Sequence, residues 1–308
     1  MSWENEVKEI KKRLKLIQEM GGKEKIKRQY DAGRTTVRER IFALVDKGSF
    51  KEIGRLTGLS EYNEDGTLKS LMAVNSVIGH ALINKVPTVI YGDDFTIRGG
   101  AGDAAIYEKM ITAERFANEY RMPLIRLIEG TGGGGSVKSI EADGYTYVPA
   151  NPGWDWVVSN MATIPVVSLG LGPVAGLGAA RLVSSHYSVI VKKMSQVFVA
   201  GPPVVNRLGE TVTKESLGGS EIHGKNGVID EVADSEADAL AKARKFLSYL
   251  PSSTYEIPKK IKNNDPIDRK DNWLISAIPK NRRHSYEIRP IIESVTDKNS
   301  FFEIGKNW

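Results

Sequence analysis

Apolar and polar positions along the first fifty residues follow a helical spacing. Residues 7–17 place an apolar side chain every three or four positions among lysines, which predicts an amphipathic helix that ends at Gly21-Gly22. A second short helix is predicted over residues 36–46, and Gly48 stops it. We therefore expect a helical segment over residues 1–48 ahead of the main domain.

Beyond residue 70 the pattern changes to short strands separated by helical segments. Alternating apolar residues over 71–78 and 86–91 predict a β-hairpin, with Asn84-Lys85 as turn residues. The elements predicted next are helix 104–120, strand 123–128, helix 154–161, strand 164–169 broken by Gly170 to Pro173, helix 174–182, strands 187–191 and 196–199, and helix 202–208. Strands that alternate with helices in this way indicate βαβ units and a mainly parallel, buried sheet, so the fold class is α/β.

The character of the chain changes again near residue 250. An alanine-rich amphipathic helix is predicted over 234–249, and residues 252–285 are polar, with three prolines. Apolar residues return over 286–308. We expect an α/β domain over 49–251, a polar linker over 252–285 and the start of a further unit over 286–308.

Composition excludes several classes of chemistry. The 308 residues are 41% hydrophobic and 26% charged, which is ordinary for a globular protein. There is no cysteine, so disulfide scaffolds, zinc ribbons, iron–sulfur clusters and thiol nucleophiles are excluded. The four histidines are scattered without ligand spacing, and we expect no metal site.

Charge and hydropathy argue against nucleic-acid and membrane partners. The net charge of +5 is confined to residues 1–40, which hold twelve basic and seven acidic residues. No aromatic residues interleave a basic patch, so nucleic-acid binding is not expected. The apolar run 162–180 is interrupted by Pro165 and Pro173, and residues 1–30 lack the apolar core of a signal peptide. These observations predict a soluble, cytoplasmic protein.

A glycine-rich run, residues 130–136, follows a predicted strand directly. Glycines at such a junction let backbone N–H groups converge on one oxygen, as in an oxyanion hole or a phosphate cradle, whereas the alternative is a flexible loop. A second glycine-rich junction, residues 170–178, again lies between a strand and a helix. Two such junctions place two sets of donors at one edge of the sheet, which favours the functional interpretation.

Side chains able to act as catalysts are scarce. No GxSxG nucleophile motif occurs, and Ser185 and His186 are neighbours in sequence, which is unfavourable for a nucleophile and its base. We therefore interpret His186 as structural and assign His223 a structural or supporting role. Chemistry that relies on backbone N–H groups accounts for this scarcity.

Seven motifs in order across residues 33–223 resemble one protein family. They are GRTTVRERI at 33–41, GSF-x-E at 48–52, DFTIRGG at 94–100, LIEGTGG at 127–133, GP-x-AG at 172–176, FVAGP at 198–202 and LGG-x3-H at 217–223. Together they are similar to the carboxyltransferase (β) subunits of biotin-dependent acyl-CoA carboxylases, of the propionyl- and acetyl-CoA carboxylase type. The resemblance implies a crotonase/ClpP-like βαβ superhelix in two homologous halves. This chain resembles the N-terminal, acyl-CoA-binding half, and residues 301–305 resemble the opening of the second half.

The resemblance also implies an activity and partners. The family transfers a carboxyl group from carboxybiotin to the α-carbon of a short-chain acyl-CoA, such as propionyl- or acetyl-CoA, and biotin itself takes the α-proton. The implied partners are a biotin carboxyl carrier protein, a biotin carboxylase subunit and the C-terminal carboxyltransferase half, in a trimer-based homo-oligomer. On its own, this half is expected to be inactive.

Site residues follow from the matching motifs. Gly132 and Gly133 fall on the family's first oxyanion pair and are the predicted catalytic residues. The residues predicted to contact the substrate or CoA are Arg34, Arg38, Gly99, Gly100, Gly172, Ala175 and Gly176.

The glycine loop departs from the family pattern on both sides of the predicted catalytic pair. Gly130-Thr131 stands where the family has Asp-Ser, and Gly134-Gly135 stands where it has Ala-Arg. Two alternatives stay open: the carboxyltransferase of a sodium-pumping, biotin-dependent acyl-CoA decarboxylase, and a catalytically silent module for CoA binding or assembly.

Overall fold

Three helices precede the sheet in the computed structural model, which describes residues 2–102, 106–130, 141, 144–145 and 153–308. They are α1 (Glu4–Gln18), α2 (Lys23–Asp31) and α3 (Val37–Leu44). The predictions of α1 and α3 are confirmed. Helix α2 was not predicted, because Ile26 is its one aliphatic residue and no apolar stripe marks it.

A mixed sheet of eight strands forms the centre of the described chain, and a two-stranded sheet lies beside it. The strands are β1 (Lys51–Ile53), β2 (Gly58–Tyr62), β3 (Leu68–Ala73), β4 (Ser76–Ile83), β5 (Val86–Asp93), β6 (Leu124–Gly130), β7 (Val166–Ala175), β8 (Tyr187–Val191), β9 (Gln196–Phe198) and β10 (Glu231–Ala233). The order is β1-β4-β5-β6-β7-β8-β10, with β9 paired to β7. β4 pairs antiparallel with both β1 and β5, and pairing is parallel from β5 onwards. The prediction of a mainly parallel sheet is confirmed.

Helices connect the parallel strands and cover the sheet. After a short 3-10 turn at Arg98–Gly100, the helices are α4 (Tyr107–Glu119), α5 (Trp154–Thr163), α6 (Leu177–Val183), α7 (Pro202–Val205), which continues into a 3-10 turn at Asn206–Leu208, α8 (Lys214–Gly218), α9 (Ser220–His223), α10 (Glu236–Leu247), α11 (Leu274–Ala277) and α12 (Ile288–Val295). Helices α3 and α10 pack on one face of the sheet, over Ile125 and Leu127. Helix α4 packs on the opposite face, over Leu124. Consecutive residues of β6 therefore point into different cores.

The predicted hairpin is confirmed for β4 and β5, but the prediction of one strand over 71–78 is wrong. That stretch contains the end of β3, which pairs with β2, and the start of β4 in the main sheet. The apolar alternation continues across the change of sheet, so the pattern does not reveal it. Asn84 and Lys85 form the turn with φ of 50° and 67°, in the left-handed region.

The predicted break at Gly170 to Pro173 is also wrong, because β7 continues to Ala175. Gly170 pairs with Ile190 of β8, and the last residues of β7 pair with β9. Helix α6 consequently starts at Leu177 rather than at residue 174. Glycine and proline are tolerated here because strands on both sides fix the backbone.

The C-terminal residues return to the main domain. Phe302 packs against Tyr187 and Phe246, with ring centroids 5.6 and 6.5 Å away, and Trp308 Nε1 donates to the carbonyl of Ile229 at 3.1 Å. Within the described residues, no helix is both long and apolar enough to cross a membrane.

Candidate functional site

Glycines of three successive strand–helix junctions meet at the carboxyl edge of the parallel strands. A Cβ on Gly100 would lie 2.7 Å from the carbonyl oxygen of Glu129, and one on Gly130 would lie 2.9 Å from Cα of Gly100. A Cβ on Gly178 would lie 3.0 Å from the carbonyl oxygen of Gly130. The junctions after β5, β6 and β7 thus approach one another through backbone atoms alone. We call Gly100, Gly130 and Gly178 the glycine edge.

The start of α6 supplies backbone donors at this edge. The N–H of Gly176 is already bonded to the carbonyl oxygens of Phe198 and Val199, both at 3.1 Å. Gly176 has no side chain that caps the helix, and helical geometry leaves the N–H groups of Leu177 and Gly178 without intrahelical acceptors. The donors that can face a ligand therefore follow Gly176.

A buried carboxylate, Glu129, lies directly before the glycine run and holds the edge to α2 and α3. Its Oε2 accepts from Gln29 Nε2 at 2.8 Å and from Arg40 at 2.5 Å, and Nε of Arg34 lies 3.2 Å from Oε1. Arg40 continues the network to Glu236 of α10. These contacts position the end of β6 from the side of the sheet that carries α3.

A second buried network fixes α4 and α6 on the other side of the sheet. Glu114 of α4 accepts two hydrogen bonds from Arg126 of β6, both at 2.9 Å, and one from Arg181 of α6 at 2.9 Å. Burial alone would raise the pKa of Glu114, but the two guanidinium groups outweigh it and lower the pKa to about 2. Arg126 also donates to the carbonyl of Ser184 at 2.7 Å, which holds the end of α6 and thereby its start at the glycine edge.

Asp93, at the end of β5, connects these networks through the backbone. Its Oδ2 accepts the N–H of Glu129 at 3.1 Å, and its Oδ1 accepts from the hydroxyl of Tyr91 at 2.5 Å. Burial raises the pKa of Asp93 to about 6, against the opposing effect of Arg181. Asp93 thus fixes the residue that immediately precedes the glycine run.

A basic cleft of about 270 Å³ opens at the same edge, and we call it the basic cleft below. It is lined by Lys25, Arg28, Gln29, Arg34, Phe95, Thr96, Arg98 and Gly99. The guanidinium of Arg34 lies over the ring of Phe95, 5.3 Å from its centroid. Cationic groups beside an aromatic face suit a ligand that carries phosphates and a planar ring.

The structure brings together only part of the predicted substrate-binding set. Arg34 and Gly99 line the basic cleft, and Gly100 belongs to the glycine edge. Arg38 does not line the cleft, because its two terminal nitrogens bind the carboxylate of Glu52 at 2.9 and 3.0 Å.

The other predicted site residues lie along β7 and beyond. Gly172 packs against the side chain of Glu129, and Ala175 pairs with Phe198 ahead of Gly176. The predicted catalytic residues Gly132 and Gly133 lie outside the described residues.

Both histidines considered in the sequence have structural partners, as expected. His186 accepts the N–H of Val166 at 3.0 Å, and its other ring nitrogen lies 2.9 Å from the carbonyl of Met161. His223 Nε2 lies 2.8 Å from the carbonyl of Val197.

The buried charges around the edge were not predicted. Arg126 and Glu129 were visible as charges inside an otherwise apolar strand, a place where an ionised group requires a partner. Their partners Glu114, Arg181 and Arg40 lie 12 to 89 residues away, and no local pattern connects them. Among the described residues, no group of His, Asp or Glu side chains is arranged to hold a metal ion.

The chain belongs to the carboxyl transferase domain family, whose sequence profile matches residues 28–308. It is 31% identical to the mitochondrial propionyl-CoA carboxylase beta chain of Homo sapiens over 309 residues, which covers 99% of this chain and 56% of the relative. It is 28% identical to the methylmalonyl-CoA decarboxylase subunit alpha of Veillonella parvula over 298 residues, 96% of this chain and 57% of the relative.

A solved structure of transcarboxylase 12S shares the fold. It superposes with a TM-score of 0.84 at 24% identity, over 100% of this chain and 59% of that one. The fold is therefore the crotonase-like α/β fold expected from the sequence. The chain spans a little over half the length of these relatives.

Proposed function

We propose that this chain is the acyl-CoA-binding half of a biotin-dependent carboxyltransferase. The reaction moves a carboxyl group from carboxybiotin on a carrier protein to the α-carbon of a short-chain acyl-CoA, with propionyl-CoA or acetyl-CoA as substrate. Family membership and the resemblance to propionyl-CoA carboxylase beta chains support this proposal. The glycine edge is the observation that carries it, because an enolate oxygen needs backbone donors that no side chain separates from it.

The basic cleft is the proposed site for the nucleotide end of CoA. Lys25 and Arg34 would face its phosphates, and Phe95 offers a flat surface for the adenine ring. Gly99, with φ of 63°, keeps the backbone close to the cleft without a side chain. The cleft and the glycine edge adjoin through Gly99-Gly100, so a CoA held in the cleft can present its thioester at the edge.

Backbone N–H donors that stabilise the enolate, rather than a side-chain base, are the proposed catalytic groups. The carboxylates of Glu129 and Asp93 are engaged by buried donors and are poorly placed to accept a substrate proton. Gly132 and Gly133 are the proposed donors to the enolate oxygen, and donors of this kind contribute about 3–4 kcal/mol to transition-state stabilisation. Carboxybiotin supplies the carboxyl group.

The proposal includes partners. A biotin carboxyl carrier protein with its biotin carboxylase would deliver carboxybiotin, and a C-terminal carboxyltransferase half would complete the site in a trimer-based oligomer. Without that half, this chain would bind substrate and not turn it over. The proposed location is the cytoplasm.

Decarboxylation is a second candidate, favoured by the resemblance to the Veillonella decarboxylase subunit. The same edge would then stabilise the enolate that forms when a malonyl-type thioester gives its carboxylate to biotin. A silent CoA-binding or assembly module is the third candidate, favoured by the altered residues around Gly132 and Gly133.

Calorimetric titration of this chain with propionyl-CoA and with free CoA tests the binding half of the proposal. We expect micromolar binding, weakened about 5- to 20-fold in Arg34→Gln because a charge-assisted hydrogen bond is lost. Arg115→Gln, an exposed change on α4, is the matched control. Absence of binding in the unmodified chain would contradict the assignment of the cleft.

Carboxylation of propionyl-CoA by free carboxybiotin tests the catalytic part of the proposal. The reaction should require addition of a separately produced C-terminal half from a related subunit. Binding of CoA without any transfer after that addition would favour the silent module. Transfer of the carboxyl group from methylmalonyl-CoA to added free biotin, with no transfer in the opposite direction, would favour the decarboxylase.

A further inference from the structure

Lys109 is a buried lysine in the first turn of α4. Its residue surface is 7% exposed, and within the described part of the chain its ammonium group makes no hydrogen bond or ion pair. A positive charge in the first turn of a helix is also unfavourable, because the N-terminal end carries the positive pole of the helix dipole. Both features leave the charged form of this side chain poorly accommodated.

The surroundings of Lys109 contain more positive than negative charge. Glu52 is bound by Arg38 at 2.9 and 3.0 Å, and Nε of Arg55 lies 3.8 Å from it, so three cations share one carboxylate. Nε of Arg38 is buried and has no hydrogen-bond partner among the residues that the structure describes.

Lys109, Arg38, Arg55 and Glu52 form a charged cluster, and two further groups near it do not offset its excess of positive charge. Asp94 also faces Arg38, but its carboxylate is engaged by the N–H and hydroxyl of Thr96 at 3.0 and 2.5 Å. Glu108, the neighbour of Lys109 on the helix, is exposed to solvent. The cluster therefore combines an unpaired amine, an unused buried donor and an unbalanced positive charge.

The amine of Lys109 has a sizeable neutral fraction under mildly alkaline conditions. Burial lowers its pKa to about 8, with Glu52 opposing and Arg38 adding to the shift. At pH 8 about half of the Lys109 side chains would be neutral, against about 0.4% for an exposed lysine of ordinary pKa. Only the neutral amine has the lone pair that attacks an electrophile.

We propose that Lys109 is a carbamylation site that reacts reversibly with carbon dioxide. The nitrogen lone pair attacks the carbon of CO2, an N–C bond forms, and one C=O π bond becomes the negatively charged oxygen. The amine loses one proton to solvent, so the product is a lysine carbamate with a single negative charge. No oxidant, reductant or further reactant is required. This site is separate from the glycine edge and does not depend on the proposed carboxyl transfer.

A carbamate accommodates each feature of the site. It replaces an unpaired cation by an anion, so the three cations and one anion of the cluster become two of each. Its oxygens would be acceptors for Nε of Arg38, and an anion is favoured in the first turn of α4. Gly54 lies beside the Lys109 side chain, since a Cβ there would be 3.6 Å from Cε of Lys109.

The test is direct detection of the carbamate on the intact chain. The protein is equilibrated with 13C-labelled bicarbonate at pH 8, treated with a trialkyloxonium salt that esterifies carbamates, and digested with trypsin for mass spectrometry. We expect the labelled ester on Lys109, with cleavage after this residue blocked and an occupancy at least tenfold above that of any exposed lysine. A 13C carbamate resonance should accompany it.

Matched variants complete the experiment. Lys109→Arg keeps the positive charge but has no reactive amine, and it should abolish the resonance. Lys262→Arg changes an exposed lysine and should leave the resonance unchanged. Arg38→Lys, which removes the Nε donor, should lower the occupancy severalfold. The proposal is overturned if the trapped ester is absent in the unmodified chain, or if its occupancy at Lys109 equals that of exposed lysines; neither result requires a variant to fold.

Discussion

The carboxylate of Glu129 occupies the space that a side chain at Gly172 would need. A Cβ at Gly172 would lie 2.5 Å from Oε1 of Glu129 and 2.8 Å from its Cγ. The GP-x-AG motif therefore contributes to the site indirectly, since its first glycine makes room for the carboxylate that binds Arg40 and Gln29. The contact joins β7 to the residue that immediately precedes the glycine run.

Gly172→Ala should destabilise the protein through this contact. The added methyl group would displace the carboxylate of Glu129 from its donors, and overpacking of this kind costs about 1–3 kcal/mol. Urea unfolding followed by circular dichroism measures the free energy of unfolding. Gly201→Ala is the control, because a Cβ there would meet its nearest neighbour at 3.7 Å, an ordinary contact. Equal stabilities of the two variants would contradict the prediction.

Neutralising Glu114 should leave two buried guanidinium groups without their anion. We expect Glu114→Gln to lower the free energy of unfolding by about 3–5 kcal/mol at pH 7. Glu119→Gln changes a half-exposed carboxylate on the same helix, 3.9 Å from Arg115, and should change stability by less than about 0.5 kcal/mol.

The effect of Glu114→Gln should also depend on pH. Because the folded pKa of Glu114 is lowered to about 2, its ionised form stabilises the fold above the ordinary value near 4.5, and this stabilisation is lost as pH falls towards 2. The difference between the unmodified chain and Glu114→Gln should therefore shrink over that interval. A difference that stays constant from pH 6 to pH 2 would show that the carboxylate is not the stabilising group.

The contribution of Asp93 to the free energy of unfolding should fall as pH rises, which is the opposite of the dependence expected for Glu114. Its folded pKa is raised to about 6, so its contribution to stability is complete below the ordinary value of 3.8 and declines as pH rises through 6. Asp93→Asn retains an acceptor for the N–H of Glu129 but cannot ionise. Between pH 4 and pH 6.5 its free energy of unfolding should therefore decline by about 1–3 kcal/mol less than that of the unmodified chain. Asp268→Asn, at an exposed position, is the control. Parallel stability curves for Asp93→Asn and the unmodified chain would refute the assignment.

The elements predicted best from the sequence are those whose bounds follow from a pattern of neighbouring residues. Strand β8 was predicted with its observed bounds because all five residues are buried and four of them are apolar. Helix α3 begins at a Thr36–Glu39 capping box, which is readable from the sequence. The change of sheet between β3 and β4 was not predicted, because apolar residues alternate in the same way whichever sheet a strand joins.

The candidate site was predictable in its glycines but not in its charges. The run after Glu129 was found because it directly follows a predicted strand, and Gly100 was found through the match of residues 94–100 to a family motif. Arg40 and Glu236, by contrast, are 196 residues apart, and their contact depends on how α3 and α10 pack on the same face. The pairing of Arg38 with Glu52 likewise joins α3 to β1, and no local pattern in the sequence reveals it.

The basic cleft makes a last prediction about which part of the ligand is recognised. If Lys25 and Arg34 face phosphates, CoA should bind at least tenfold more tightly than pantetheine, which lacks the nucleotide. Binding of CoA should also weaken as NaCl is raised from 50 to 500 mM, because exposed cationic groups are screened. Isothermal titration at each salt concentration measures both effects, and Lys25→Gln should reduce the salt dependence whereas Lys262→Gln should not. Equal affinities for CoA and pantetheine would place the nucleotide outside the cleft and leave the glycine edge as the part of the chain that holds the acyl thioester.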